Sequence, residues 1–343
     1  MKAAVVNSIG EVCLEERIIP QAKKNEALVK VIYGGICGTD VHVMMGKHKT
    51  AKYPVVLGHE FIGRLVELNT AEDIDAKPGD LVFVQPFESC GTCEACIEGR
   101  ENVCSKLAIL GVHRDGCFAE YVAVPASKVF KMPDGLDMKL ATLVEPLAVA
   151  VHDVKQSGLK LGQTALIIGG GPIGLLIAIV ARMAGATKIV VSEVNDYRLR
   201  FAEKLGFEII DAKKSDLKSM AKDLTESKGF DVVFEVSGTK IATEQMTECV
   251  KTGGRIVIVG VPGDKYAVDT GLMLAKEIEM VGVRIHATKN YVAAIEILKA
   301  NIINDQLIDF IDSEFSLDKI EEAMKYSIED QKHFKTLIKI GEI

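Results

Sequence analysis

The second half of the chain alternates short apolar runs with segments whose apolar residues recur at a helical period. Six such runs follow one another from about residue 160, and helix-type patterns separate the earlier ones. Short apolar runs that alternate with helices predict a doubly wound, parallel α/β sheet with helices on both faces. The predicted strands are Thr164–Ile168, Lys188–Ser192, Glu208–Ile210, Asp231–Val236, Arg255–Val261 and Glu279–Arg284.

Helical patterns lie between several of these strands and continue after the last one. A further strand-like run follows them near residue 335. The predicted helices are Ile173–Ala184, Asp196–Leu205, Thr239–Val250, Tyr291–Ala300 and Leu317–Tyr326, and the additional predicted strand is Lys335–Ile340.

The part of the chain before about residue 140 has a different pattern, with short β-rich runs between tight turns. Ala27–Tyr33, Leu81–Pro86 and Glu120–Val124 are rich in β-branched and aromatic residues, and turn residues such as Lys77–Asp80 separate such runs. This pattern predicts a barrel or a folded-over sheet. Two patterns in 343 residues indicate two domains.

Composition and charge narrow the class of protein. Hydrophobic residues make up 48% and charged residues 26% of the chain, which is ordinary for a globular protein. The 41 Lys and Arg residues do not exceed the 48 Asp and Glu residues, so no basic excess is available to bind nucleic acid. Glycines and a proline interrupt the longest apolar stretch, and Met1–Pro20 lacks the pattern of a secretory signal. We therefore expect a cytoplasmic protein that binds neither nucleic acid nor membranes.

A glycine motif opens the first helix of the α/β region. Gly169, Gly171 and Gly174 have the spacing GxGxxG and follow the strand Thr164–Ile168 directly. In this context the first glycine permits a tight turn, the second lets a pyrophosphate approach the backbone, and the third lets the helix pack close to the sheet. The helix N-terminus supplies free N–H groups for phosphates, and Pro172 suits its first turn. The motif predicts a dinucleotide site, with a glycine-rich turn that binds no ligand as the alternative.

An acidic residue indicates which dinucleotide is expected. Glu193 stands at the end of the next strand. A carboxylate at this place accepts hydrogen bonds from ribose hydroxyls and repels a 2′-phosphate. Arg198 lies one helical turn further on and could serve a phosphate in part. The sequence therefore predicts NAD rather than NADP.

Four of the eight cysteines lie within one stretch of fifteen residues: Cys90, Cys93, Cys96 and Cys104. Four thiolates match a tetrahedral Zn²⁺, and because they would fill the coordination shell, the site would be structural. An iron–sulfur cluster and a pair of disulfides are the alternatives. The expected reducing compartment disfavours disulfides.

A second group of metal-ligand types is spread over the β-rich part of the chain. Cys37 and His42 follow one predicted strand, His59 and Glu60 follow another, and Glu145 precedes the α/β region. A cysteine, a histidine and one or two carboxylates suit a zinc ion with an exchangeable position. Taken singly, each of these residues is more often a packing residue or a satisfied polar group.

Together, these motifs resemble the zinc-dependent medium-chain dehydrogenase/reductase family, occur in its order and cover nearly the whole chain. They are Gly35–His42, Gly58–Gly63, the four cysteines, Asp115–Tyr121, Glu145–Leu147 and Gly169–Gly174. The resemblance implies a GroES-like, β-rich catalytic domain interrupted by a Rossmann domain with a six-stranded parallel sheet. The expected bounds are 1–148 plus 285–343 for the catalytic domain and 149–284 for the NAD-binding domain.

The resemblance implies ligands for a catalytic zinc. Cys37, His59 and Glu60 match the family's ligands, and Glu145 matches a carboxylate that binds the ion directly or through water. The expected cofactors are therefore NAD and two zinc ions per chain, one catalytic and one structural.

The resemblance also implies roles around the substrate and the cofactor. Thr39 matches the hydroxyl that touches the substrate oxygen, His42 the outer proton relay, and Asp40 a carboxylate of the type that orients ligands. Arg284 matches an arginine near the substrate, with a surface ion pair as the alternative. The implied cofactor contacts are Gly169, Gly171, Pro172, Ile173, Gly174, Glu193, Arg198, Val259 and Val283.

The implied activity is hydride transfer from a secondary alcohol to NAD. Glu145–Leu147 and the Cys–His–Glu set resemble the polyol branch of the family, and Leu110–Gly116 with Asp330–His333 resembles bacterial dehydrogenases of hexonates such as L-galactonate or L-gulonate. L-threonine 3-dehydrogenase is an alternative with the same fold, and a non-catalytic NAD-binding structural protein is another. Cys117 stands where the family usually has glycine. Buried packing is the favoured interpretation of this thiol, and the alternative is that it crowds a turn near the site and so bears on the shape of the substrate. The family also implies a homo-oligomer, through the sheet edge near Glu279–Arg284.

Overall fold

The structure is a computed structural model that describes residues 1–329 and 332–342. It divides into two compact units: unit 1 comprises Met1–Glu145 and the segment from Ala287 onward, and unit 2 comprises Pro146–His286. Unit 2 is therefore inserted in sequence between two segments of unit 1. Asp330 and Gln331, the first two residues of the stretch Asp330–His333 that resembles hexonate dehydrogenases, lie outside the described residues.

The first segment of unit 1 is β-rich and has three short helices. Its strands are β1 (Lys2–Ser8), β2 (Glu11–Glu16), β3 (Glu26–Gly35), β4 (Val55–Val56), β5 (Glu60–Asn69), β6 (Leu81–Val84), β7 (Phe87–Glu88), β8 (Ala108–Ile109), β9 (Tyr121–Pro125) and β10 (Val129–Lys131). Its helices are α1 (Gly38–Met44), α2 (Glu94–Ile97) and α3 (Met138–Ala141).

Unit 2 alternates strands with helices. Helix α4 (Val144–Ser157) begins in unit 1 and continues in unit 2. The elements that follow are β11 (Thr164–Ile168), α5 (Pro172–Met183), β12 (Lys188–Glu193), α6 (Asp196–Lys204), β13 (Glu208–Asp211), α7 (Leu217–Leu224), β14 (Phe230–Glu235), α8 (Lys240–Cys249), β15 (Val250–Ile258), α9 (Thr270–Lys276) and β16 (Glu279–Gly282).

The six strands of unit 2 form one parallel sheet in the order β13-β12-β11-β14-β15-β16. This is the doubly wound order, in which ligands bind beyond the carboxyl ends of the strands where the strand order reverses, here between β11 and β14. The prediction of a six-stranded Rossmann sheet is confirmed. The strand ends differ in places, since β15 begins at Val250 rather than at Arg255.

The chain returns to unit 1 through helices and two strands. They are α10 (Thr288–Ala300), α11 (Asn304–Ile308), β17 (Ile311–Ser316), α12 (Ile320–Glu329) and β18 (Lys335–Lys339). The main sheet of unit 1 has the order β10-β6-β5-β3-β18-β17, and β9 also pairs with β3. Because β18 lies antiparallel to β3, with Leu337 opposite Gly35, the return segment completes the sheet that the first segment begins.

Two local differences from the sequence prediction lie next to the candidate site. Helix α1 was not predicted, because it has only seven residues and begins with Gly38, which is too little for a helical period to show. Glu60 was expected to follow a strand, but it is the first residue of β5.

Among residues 1–329 and 332–342, the helices are too short or too polar to cross a membrane.

Candidate active site and metal centres

Asp40 joins the two chain segments that carry the predicted zinc ligands. Its Oδ2 accepts a hydrogen bond of 2.9 Å from the backbone N–H of Cys37, the residue that precedes α1. Its Oδ1 accepts a hydrogen bond of 2.9 Å from the N–H of Gly58 and lies 3.5 Å from Nδ1 of His59. Asp40 is completely buried. This buried carboxylate therefore fixes the end of β3 against the Gly58–His59 turn.

Three potential ligands of different chemistry meet beside Asp40. The ligand atoms of Cys37, His59 and Glu60 all lie within 4.8 Å of one another. His59 and Glu60 are buried. A thiolate, an imidazole and a carboxylate are ligand types that Zn²⁺ accepts, and three protein ligands leave a fourth position for water or substrate. The donor set therefore fits a catalytic zinc.

Lys335 is a component of this site that the sequence analysis missed. Its Nζ lies 2.5 Å from Oε2 of Glu60 and donates a second hydrogen bond of 3.2 Å to the carbonyl of Ile36. Both side chains of the ion pair are buried. A Cβ at Gly35 would lie 2.6 Å from that same Glu60 oxygen, so glycine is needed there to make room for the pair. Only the register of β18 against β3 brings Lys335 to the site.

Charges from three acidic groups act on Lys335. Burial opposes its protonation, but the charges of Glu60, Cys37 and Glu145 outweigh this effect and raise the pKa of Lys335. The side chain is therefore a fixed positive charge inside a cluster of anionic ligands. Glu145 is buried at the start of α4, and it is not one of the three residues whose ligand atoms meet within 4.8 Å.

The two predicted proton-relay residues lie on α1. Oγ1 of Thr39 is 3.7 Å from Sγ of Cys37, so the hydroxyl stands directly beside the candidate ligand set. His42 is exposed on the next turn of the helix. Partial desolvation and the nearby charge of Lys47 lower the pKa of His42, which favours the neutral ring near neutral pH.

Cys117 lies behind the candidate ligands rather than at an open surface. Its side chain is completely buried, and its thiol contacts the carbonyl oxygen of Glu60 at 3.9 Å. Burial raises its pKa well above the usual range, so it remains a thiol. Cys117 therefore packs against the backbone that presents Glu60.

The four clustered cysteines form a second candidate metal centre. The Sγ atoms of Cys90, Cys93, Cys96 and Cys104 lie 3.5–4.0 Å apart in the pairs in contact. Four sulfurs at about 2.3 Å from a tetrahedral zinc would be about 3.8 Å apart, whereas a disulfide needs about 2 Å. The cysteines are free thiols. Hydrogen bonds from Thr92, Cys93 and Cys104 lower the pKa of Cys90 to about 5, whereas burial and the neighbouring thiols raise the pKa of Cys96 to about 11, so Cys90 ionises before Cys96. The geometry fits a structural zinc.

The glycine motif of unit 2 forms the expected cradle at the start of α5. A Cβ at Gly174 would lie 1.9 Å from the carbonyl oxygen of Gly169, so the helix can approach the turn only with glycine here. Gly171 is the residue before the helix, and Pro172 and Ile173 open its first turn. The first-turn N–H groups of α5 are therefore available to a phosphate.

Glu193 is fixed beside this cradle at the end of β12. Its Oε2 accepts a hydrogen bond of 2.8 Å from Gly170 N–H, and its Oε1 accepts hydrogen bonds from the N–H groups of Val194 and Asn195. The guanidinium of Arg198 lies 3.8 Å from Oε2. The carboxylate is therefore held in one position at the carboxyl edge of the sheet.

The remaining predicted residues of unit 2 also follow strand ends. Val259 and Val283 come directly after β15 and β16, on the carboxyl edge where dinucleotides bind. Arg284 comes next and is exposed.

Comparison with known proteins agrees with this architecture. Residues 23–134 match the family described as the alcohol dehydrogenase GroES-like domain, and residues 172–300 match the family described as zinc-binding dehydrogenase. Together these two matches account for most of the chain.

Three similar proteins illustrate the range of relatives. A 2-dehydro-3-deoxy-L-galactonate 5-dehydrogenase of Pseudoalteromonas atlantica is 37% identical over 94% of this chain and 93% of its own. An L-threonine 3-dehydrogenase of Bacillus velezensis is 42% identical over 78% of this chain and 79% of its own. The crystal structure of a zinc-binding dehydrogenase from Sinorhizobium meliloti 1021 bound to NADP is similar over 98% of both chains, with a TM-score of 0.91 and 35% identity.

The chain therefore belongs to the zinc-dependent medium-chain dehydrogenase/reductase family and is a dehydrogenase of its alcohol and polyol class. Both metal centres described above are consistent with the zinc of this family, one catalytic and one structural.

Proposed function

We propose that this protein oxidises a secondary alcohol of a polyol or a hexonate-like sugar acid with NAD as the hydride acceptor. The observation that carries the proposal is the meeting of Cys37, His59 and Glu60 within 4.8 Å, beside the hydroxyl of Thr39. A protein that used this fold only as a scaffold would not need a converging Cys–His–Glu set with a hydroxyl next to it.

In this proposal the chain's residues divide the work around the alcohol. Cys37, His59 and Glu60 hold the zinc, with Glu145 as a direct or water-mediated ligand, and Asp40 orients His59 from the side of Nδ1. When bound, zinc supplies a Lewis acid for the alcohol oxygen and the nicotinamide supplies the hydride acceptor. Arg284 is a further proposed substrate contact.

Two residues of α1 move the proton that the alcohol loses. Thr39 accepts it on Oγ1, next to the ligand set, and passes its own hydroxyl proton on toward His42. His42 is exposed and its pKa is lowered, so its neutral ring can take up the proton and release it to solvent.

The dinucleotide is proposed to lie on the glycine motif at the start of α5, with a carboxylate and a guanidinium at the ribose and two valines further along the edge of the sheet. The motif residues are Gly169, Gly171, Pro172, Ile173 and Gly174, the ribose residues are Glu193 and Arg198, and the valines are Val259 and Val283.

A substrate panel tests the proposed activity and separates it from the alternative of L-threonine oxidation, which the 42% identity to a threonine dehydrogenase favours. The panel compares L-galactonate, L-gulonate, sorbitol and L-threonine with NAD, following NADH absorbance. We expect kcat/KM for a hexonate or polyol to exceed that for L-threonine by at least about tenfold, because a pocket built to bond hydroxyl groups rejects analogues that lack them. A preference for L-threonine would contradict the proposal.

The preference for NAD rests on Glu193, and its replacement is the second test. Glu193→Ala is expected to lower the ratio of kcat/KM with NAD to kcat/KM with NADP by about tenfold or more, because a carboxylate at the ribose repels a 2′-phosphate. The exposed Asp196→Ala, on the following helix, is the control. An unchanged ratio in Glu193→Ala would show that another residue sets the preference. The dinucleotide preference is tested directly because the similar Sinorhizobium protein is bound to NADP.

The organisation of the protein is part of the proposal. We propose residues 1–148 plus 285–343 as the catalytic domain and 149–284 as the NAD-binding domain. We also propose a homo-oligomer that pairs through β16, which is the edge strand of its sheet and exposes Met280. The free cysteines support a reducing, cytoplasmic location.

A further inference from the structure

The loop between α1 and β4, residues 45–54, is basic although the chain as a whole is acidic, and we call it the basic loop. It carries Lys47, Lys49 and Lys52, and no Asp or Glu stands between Asp40 and Glu60, whereas the formal net charge of the chain is −7. All three lysines are exposed, and none of them forms an ion pair within the part of the chain that the structure describes. Their positive charge is therefore available to a ligand.

The basic loop folds back onto the end of α1. The backbone N–H of Lys47 donates a hydrogen bond of 2.8 Å to the carbonyl of His42, and the hydroxyl of Tyr53 donates one of 2.6 Å to the carbonyl of Val43. Helix α1 has seven residues and is therefore about 10 Å long. Its first turn carries Thr39 beside the candidate ligand set. One helix length is close to the Debye length of about 10 Å in 0.1 M salt, so the charge of the loop acts on a substrate at that set.

A second segment of unit 1 holds the basic loop in place. His113 belongs to the stretch Leu110–Gly116, which the proposed mechanism does not use. Its Nδ1 accepts a hydrogen bond of 3.1 Å from the N–H of Ile109, so the neutral ring carries its proton on Nε2 and donates it to Oγ1 of Thr50 at 3.0 Å. The N–H of Lys52 donates a hydrogen bond of 3.0 Å to a backbone carbonyl of the same stretch. The lysines thus stand on a loop that is fixed at several points.

We propose that the basic loop selects substrates that carry a carboxylate, and that His113 is the positioning residue that holds this loop. The inference rests on the proposed function and deepens it, because it assigns the substrate to the sugar acids rather than to the neutral polyols. Three ammonium groups without ion-pair partners attract a carboxylate against the negative charge of the whole chain. A neutral polyol gains nothing from them.

The test compares two matched substrates, L-gulonate and sorbitol. They share one carbon skeleton and configuration, and they differ in that a carboxylate replaces a terminal hydroxymethyl group. We would measure kcat/KM for each with NAD at ionic strengths of about 0.01 M and about 1 M, where the Debye length is about 30 Å and about 3 Å. The loop variant removes the three charges, and the control variant removes three exposed lysines elsewhere in unit 1: Lys47→Gln/Lys49→Gln/Lys52→Gln and Lys23→Gln/Lys24→Gln/Lys77→Gln.

At low ionic strength we expect the parent to prefer L-gulonate over sorbitol by about tenfold or more in kcat/KM, and this preference to shrink at high ionic strength. The loop variant is expected to lose about tenfold with L-gulonate at low ionic strength and to keep its value for sorbitol. The control variant is expected to keep both values.

Replacement of His113 tests the positioning role. His113→Ala removes the partner of Thr50, so we expect it to lose part of the preference for L-gulonate and part of its dependence on ionic strength. His113→Gln is expected to retain most of both, because its amide still offers a donor to Thr50. A merely structural role would lower kcat/KM for the two substrates together and leave their ratio unchanged.

An unchanged ratio of L-gulonate to sorbitol in the loop variant would overturn the proposal, as would an equal fall in the control variant. A higher KM for NAD with an unchanged ratio would assign the lysines to the dinucleotide and would overturn it too. Calorimetric binding of both compounds to the zinc-loaded protein makes the same comparison without turnover. If neither compound is oxidised while L-gulonate binding still depends on the three lysines, the proposed function is at fault and the role of the loop stands.

Discussion

Cys37→Ser is expected to abolish measurable turnover and to reduce bound zinc from two ions per chain to about one. Cys37 supplies the only sulfur among the three residues whose ligand atoms meet beside Thr39. A serine hydroxyl is a much poorer zinc ligand than a thiolate, and it leaves a buried imidazole and a buried carboxylate with an incomplete shell. Because a Lewis acid contributes several kcal/mol to such a reaction, we expect a loss of about a thousandfold or more in kcat/KM.

Zinc content and activity are measured on the same preparations. Cys13→Ser is the control, because Cys13 lies on β2 outside both cysteine-containing metal groups. It is expected to keep both ions and full activity. The ion of the four clustered cysteines should stay in place in Cys37→Ser, since its four sulfurs are unchanged. A Cys37→Ser protein that retains both ions and most of its activity would contradict the assignment of the catalytic site.

The sheet of unit 2 could be predicted from sequence because its signals are local. Parallel strands covered on both faces are continuous apolar runs, and β11 has the predicted bounds of Thr164–Ile168. The glycine motif is also local, since the third glycine acts on the turn formed by the first. The four-cysteine site could also be predicted from a local signal, because the spacing within one short lobe determines which sulfurs can meet.

The active site depends on contacts that no local pattern contains. Asp40 reaches Gly58 across 18 residues, and Lys335 reaches Glu60 across 275. Resemblance to a family could assign Cys37, His59 and Glu60 because they lie within its motifs. It did not assign Lys335, which lies in a plain β-type run, where nothing in the sequence distinguishes a buried lysine from an exposed one.

Lys335→Met is expected to destabilise the metal-free protein more than the zinc-loaded one. In the parent, Lys335 is the buried positive charge next to Glu60, at 2.5 Å. Removing one member of a buried ion pair costs about 3–5 kcal/mol, because the other charge is left uncompensated. For a unit of this size, the melting temperature would fall by roughly 6–20 °C without metal. Added zinc can compensate Glu60 in place of the lysine, so it is expected to restore much of the loss.

Thermal unfolding with and without zinc measures the loss of stability in the metal-free protein and its recovery in the zinc-loaded one. Lys339→Met is the matched control, because Lys339 is exposed at the other end of β18; it is expected to change little. The double variant Glu60→Gln/Lys335→Met removes both charges, so its metal-free form is expected to be more stable than the Lys335→Met single variant. If the double variant is no more stable, the lysine acts through packing rather than charge. Equal losses with and without zinc would likewise show that Lys335 does not compensate the ligand charges, because only a charge effect can be replaced by the ion.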